Sequence, residues 1–83
     1  MVAITPEQSK AARALLGLTQ ADLAERAEVS LRTVVNWESH ARDPIPVTVG
    51  AIQRALEQAG VVFIDKDRSG GPGVRLARGG RRR

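Results

Sequence analysis

The sequence predicts a mainly α fold: a bundle of about four short helices, then a C-terminal β-hairpin and a disordered basic tail. Three observations predict it. Apolar residues recur at spacings of three and four in consecutive segments up to Ala59, and the first three segments open on a capping residue. After Gly60 the pattern changes to a short β-prone run and a weaker alternating one. The apolar fraction is 42%, yet Trp37 and Phe63 are the two aromatics, so the core is made mostly of alanine, leucine and valine. Such a core suits thin, closely packed helices. Eighty-three residues hold one small domain. We divide it into a helical part (1–60), a hairpin (61–78) and a tail (79–83).

Each element has a local reason. Thr5 caps the first helix, Pro6 occupies the first position where its missing N–H costs nothing, and Gln8 completes a capping box. Ala11, Ala12, Leu15 and Leu16 form its apolar face, and Gly17 ends it. Thr19 caps a second helix, about Gln20 to Arg26, with Asp22 three residues on and Leu18 poised against Leu23. Ser30 caps a third, about Leu31 to Ser39, with Val29 and Val34 in the same staple arrangement. The turn between them, Ala27-Glu28-Val29, is so short that the two helices must cross steeply.

Asp43-Pro44-Ile45-Pro46 breaks the helical pattern, and His40 is expected to be a solvated loop residue. A fourth helix, about Val47 to Ala59, follows, with Val49, Ile52, Ala55, Leu56 and Ala59 on one face. Val61-Val62-Phe63-Ile64 and Gly73-Val74-Arg75-Leu76-Ala77 read as the two strands of a hairpin, joined through the turn-rich stretch Asp65 to Pro72. Gly79-Gly80-Arg81-Arg82-Arg83 has nothing apolar to bury, hence the disordered tail.

Composition excludes several function classes. Zero cysteines remove disulfides, thiolate catalysis and cysteine zinc sites, and a lone His40 cannot build a metal cluster. No apolar run approaches the roughly 18 residues of a spanning helix. We therefore expect no enzyme, no cofactor, no metal and no membrane, and a cytoplasmic setting. The net charge of +4 points at first to nucleic acid, but its distribution is uneven. Up to Ile64 there are six basic and seven acidic residues; from Asp65 onward there are seven basic and two acidic. The body is nearly neutral, and the net positive charge sits at the C-terminal end.

Gln20 to Ser39 carries the functional information. Leu23, Val29, Val34 and Trp37 wedge the helix crossing, and Ala24 is small because the second helix passes over it. Ser30, Leu31, Arg32, Val35, Asn36 and Ser39 remain outward. Through Leu18-Thr19-Gln20-Ala21-Asp22-Leu23-Ala24, Ala27-Glu28-Val29-Ser30 and Thr33-Val34-Val35-Asn36-Trp37-Glu38, the chain resembles the lambda-repressor-like (Cro/XRE-type) helix-turn-helix family over about Ile4 to Ala59. The resemblance implies a DNA-binding, transcription-regulating domain whose recognition helix, about Leu31 to Ser39, lies in the major groove.

Carried over by position, the resemblance implies that Gln20 contacts phosphate and braces the recognition helix, and that Arg32 and Asn36 reach base edges. Arginine suits guanine O6 and N7, and asparagine suits adenine N6 and N7. Ser30, Thr33, Ser39 and Arg42 become backbone contacts, and Arg13 and Glu38 take the places of a structural ion pair. Three positions depart from the family pattern. Glu28 replaces a frequent glycine, so a left-handed residue there costs about 1 kcal/mol or more and a slightly different turn is expected. Leu31 and Val35 stand where polar base readers are common, which directs them to thymine methyls or to a protein. Ser9 takes a usually apolar place and is expected to thin the packing of the first helix.

The expected partner is double-stranded DNA, bound by a homodimer in which the strand Val61, Val62, Phe63 and Ile64 provides the dimerisation element. In a monomer the hairpin would instead cap the helices and cover Val62 or Phe63. Two other function classes remain beside sequence-specific regulation by a repressor. One is an antitoxin-type or adaptor module that binds a protein such as a toxin through the hairpin and the Leu31/Val35 face. The other is nonspecific nucleic-acid binding through the arginine tail alone.

Overall fold

The first three helices begin where a side chain satisfies otherwise orphaned N–H groups. In the computed structural model, which describes residues 3–79, α1 spans Pro6–Leu16 and is closed by a capping box. The Thr5 hydroxyl accepts from Gln8 N–H at 3.1 Å, and the Gln8 side-chain Oε1 accepts from Thr5 N–H at 2.8 Å. Helix α2 (Gln20–Ala27) repeats the device with Thr19 and Asp22, both bonds being 2.9 Å. Helix α3 (Leu31–Glu38) starts at Ser30, whose hydroxyl accepts from Thr33 N–H. Helix α4 (Pro46–Ala59) has no side-chain cap and relies on Pro46 in its first turn.

The stops follow the sequence too. Gly17 takes φ 72° after α1, a left-handed conformation that glycine adopts without penalty. Gly60 takes φ 123° and turns α4 directly into β1 (Val61–Ile64). Strand β2 (Gly73–Leu76) pairs antiparallel with β1, Val61 opposite Leu76 and Ile64 opposite Gly73. Between them Asp67 and Gly70 close a tight turn in which the Asp67 carboxylate accepts from Ser69 N–H and hydroxyl. Helix and strand bounds agree with the sequence expectation to within one residue: Ser39, for example, is the cap of α3 rather than its last turn.

Gly79 closes a 3₁₀ turn, Ala77–Gly79, instead of opening the expected tail; the remaining tail positions, 80–83, lie outside the described residues. No helix among the described residues is long and apolar enough to cross a membrane.

A single buried cluster joins the four helices to the hairpin: Leu23, Val34, Ile52 and Leu56 at its centre, Trp37 beside them, and Val61 and Phe63 from β1. Phe63 is therefore the covered residue of the hairpin, together with Val61, while Val62 and Ile64 point outward. The expected core face of α1 is only half right. Ala12 and Leu16 are buried, but Ala11 and Leu15 are exposed, and the side facing the core is completed by two polar residues, Gln8 and Ser9.

Candidate nucleic-acid interface

Glu38, the last residue of α3, is 2% exposed, a position where an uncompensated carboxylate would be costly. Three side chains compensate it. Arg13 Nη2 lies 2.7 Å from Oε1, and Arg13 Nε reaches both carboxylate oxygens, at 3.2 and 3.0 Å. The Ser9 hydroxyl donates to Oε2 at 2.6 Å, and the Gln20 amide donates to Oε1 at 3.1 Å. Burial pushes the Glu38 carboxyl up, but the hydrogen bonds from Arg13, Ser9 and Gln20, with the charge of Arg13, outweigh it and hold the group below its ordinary value. Arg13 also donates to the Leu18 carbonyl at 3.2 Å, so one guanidinium ties α1, the α1–α2 turn and the end of α3.

The geometry explains Ser9 differently from the expectation that it thins the packing. It is fully buried and part of this network. Sequence pattern alone missed it because its acceptor lies 29 residues away. A usable signal was present: Ser9 stands four residues before Arg13, on the same helix face.

The turn into α3 passes through Glu28 in a left-handed conformation. Glu28 takes φ 60°, ψ 43°, the left-handed conformation, and its N–H bonds to the Ala24 and Glu25 carbonyls. Val29 N–H returns to the Ala24 carbonyl at 3.0 Å. Glu28 itself takes up the left-handed position, and the backbone there bears the strain.

On its inner side α3 buries Val34, Trp37 and Glu38; its outer side carries Leu31 and Val35, 48% and 38% exposed, with Arg32 between them and Asn36 half-buried beside them. The chain after α3 folds back over Asn36, whose carbonyl accepts from the N–H groups of Ala41 at 2.8 Å and Arg42 at 3.3 Å. Arg32, Thr33, Asn36 and Arg42 thereby line one small cleft with Pro44. Arg32 and Arg42 make no ion pair among the described residues.

Ser30 and Thr33 are partly committed to capping, their hydroxyls lying 2.8 Å apart, and the Ser39 hydroxyl donates to the Asn36 carbonyl at 3.2 Å. Gln20 spends one amide hydrogen on Glu38. His40, expected to be solvated, is exposed but pairs with Glu7 of α1; that hydrogen bond first, and the charge of His40, lower the Glu7 carboxyl. The proposed dimerisation strand splits into Val61 and Phe63, which face the protein's own core, and Val62 and Ile64, which do not.

No match was found among curated proteins. A helix-turn-helix family model matches residues 10–58, more than half of the chain. That span includes the Arg13–Glu38 clamp, both capped helices and the turn at Glu28, and it covers DNA-binding regulators rather than a catalytic family. The chain belongs to the lambda-repressor-like (Cro/C1-type) helix-turn-helix family of DNA-binding transcription regulators.

Proposed function

We propose that this protein is a sequence-specific double-stranded DNA-binding regulator, acting as a repressor, that reads the major groove with the outer face of α3. The observation that carries this reading is the division of α3. Its inner face is clamped by the Glu38 network, and its outer face presents Arg32 and Asn36 in one cleft with Arg42 of the following chain. Arg32 and Asn36 read bases, Leu31 and Val35 contact thymine methyls, and Gln20, Ser30, Thr33, Ser39 and Arg42 hold phosphates. Two copies bind a two-fold site with their α3 helices about 34 to 36 Å apart, a spacing that sets them in successive major grooves. Repression then requires only occupancy of the site.

Selection of bound sites from random DNA tests the reading directly. A two-fold symmetric consensus is expected. Arg32→Ala and Asn36→Ala should each cost about 1 to 3 kcal/mol of discrimination at fixed salt. Sites selected equally well by the doubly substituted protein would remove α3 as the reader. The exposure of Leu31 and Val35 also favours a second reading, an antitoxin-type or adaptor module that uses this face on a protein. Deoxyuridine in place of thymine separates the two: a loss of affinity assigns both side chains to DNA.

A further inference from the structure

The sheet has two strands, and nothing among the described residues pairs with the far edge of β2. In an antiparallel ladder alternate residues turn their N–H and C=O groups away from the partner strand. Ala77 N–H donates to the Gly60 carbonyl across the hairpin at 2.8 Å. In step with that bond, Gly73 and Arg75 direct their main-chain groups to β1, while Val74 and Leu76 direct theirs to the open edge. Such an edge is a template for another strand.

Alongside it runs a stripe of α1. Ala11 borders one cleft with Gly73 and Val74, and Leu15 borders a second with Leu76 and Ala77, the latter about 820 Å³ in volume. Ala11 and Leu15, one helical turn apart on the side of α1 next to β2, are apolar positions that the protein's own core leaves exposed, as it does Ala14. Charge decides what can cover them. The cleft at Ala11 is bordered by Glu7, which is paired with His40, whereas Arg75 and Arg78 border the larger cleft at Leu15 and no acidic residue does. A second copy of the chain fits this edge poorly. The two-fold register that uses both Val74 and Leu76 sets Arg75 opposite Arg75.

We propose that the seam between α1 and the open edge of β2 receives an extended acidic segment of a partner protein, which joins the hairpin as a third strand. Main-chain bonds to Val74 and Leu76 supply affinity. Alternate side chains supply selectivity: apolar ones lie over Ala11 and Leu15, and acidic ones, on the side of Arg75, meet Arg75 and Arg78. The hairpin packs chiefly on α1 and α4, so docking leaves the outer face of α3 free. The site therefore stands or falls independently of base reading by α3.

Random peptides displayed against the full 83-residue chain are the probe. Enrichment of sequences alternating acidic and apolar residues is expected, with bound peptide slowing amide exchange at Val74 and Leu76. Arg75→Glu with Arg78→Glu should weaken that peptide tenfold or more, and Leu15→Glu should do the same while unfolding temperature and DNA affinity are retained. Failure to enrich acidic sequences, or equal binding to the charge-reversed variant, overturns the proposal. So does protection of the Val74 and Leu76 amides by raised protein concentration alone, because a second copy then fills the edge.

Discussion

The two faces of α3 obey opposite rules. Toward the core, Val34, Trp37 and Glu38 have their partners inside the molecule, and the one charge among them is matched by three donors. Toward solvent, Arg32 has no ion-pair partner among the described residues, and Leu31 and Val35 are left in water. A face that positions needs satisfied groups; a face that reads needs unsatisfied ones. The comparison implies that inner substitutions change stability and outer ones change binding.

The largest break in that division should come from Glu38→Ala. It strands the Arg13 guanidinium, which is only 17% exposed, and leaves Ser9 and Gln20 without their acceptor. A cost of about 3 to 5 kcal/mol is expected in urea unfolding, a large share of the stability of a small domain. A cost under about 1 kcal/mol would mean that the clamp does not hold α3. By contrast, Arg32→Ala should leave unfolding within about 0.5 kcal/mol of the parent and lose its 1 to 3 kcal/mol in DNA affinity alone. A matching drop in stability would erase the distinction between the faces.

Acid should sharpen it. Because the Glu38 carboxyl titrates lower when folded than when unfolded, its contribution is complete above its ordinary value near 4.5 and is lost as the pH falls through the lower folded value. Glu38→Gln should flatten stability over that window, measured as the unfolding midpoint against pH. An unchanged slope would assign the acid sensitivity to other carboxylates. The smallest effect expected is a gain: Glu28→Gly should stabilise by about 1 kcal/mol by relieving the left-handed residue, whereas Glu28→Ala should not. Equal effects of the two would locate the strain elsewhere.

Much of the fold was legible because it is written in short-range chemistry. Thr5 with Gln8, Thr19 with Asp22, and Ser30 each announce a helix within four residues of chain, and Gly17 and Gly60 announce the stops. Arg13 and Glu38 could be paired beforehand through family resemblance, although not by spacing. What escaped was chemistry that depends on distant partners. Ser9 looks like a misplaced polar residue until Glu38 arrives beside it, and the capping role of Gln8 does not reveal that its amide also donates to the hairpin. Ala11 and Leu15 have the right period to be core, yet periodicity does not say how wide a stripe the neighbouring elements cover.

Gln8 has a consequence for how the chain assembles. Besides capping α1, its amide donates to the carbonyls of Ile64 and Gly73, at 3.2 and 2.8 Å, across separations of 56 and 65 residues. These contacts close most of the chain into a ring, from the first helical turn to the loop end of the hairpin. Non-local closure of this kind slows folding, because loop entropy is lost before the contact forms. It also makes the transition cooperative: releasing the hairpin leaves the buried Gln8 amide at the start of α1 without its two acceptors, so loosening of the hairpin is felt at α1.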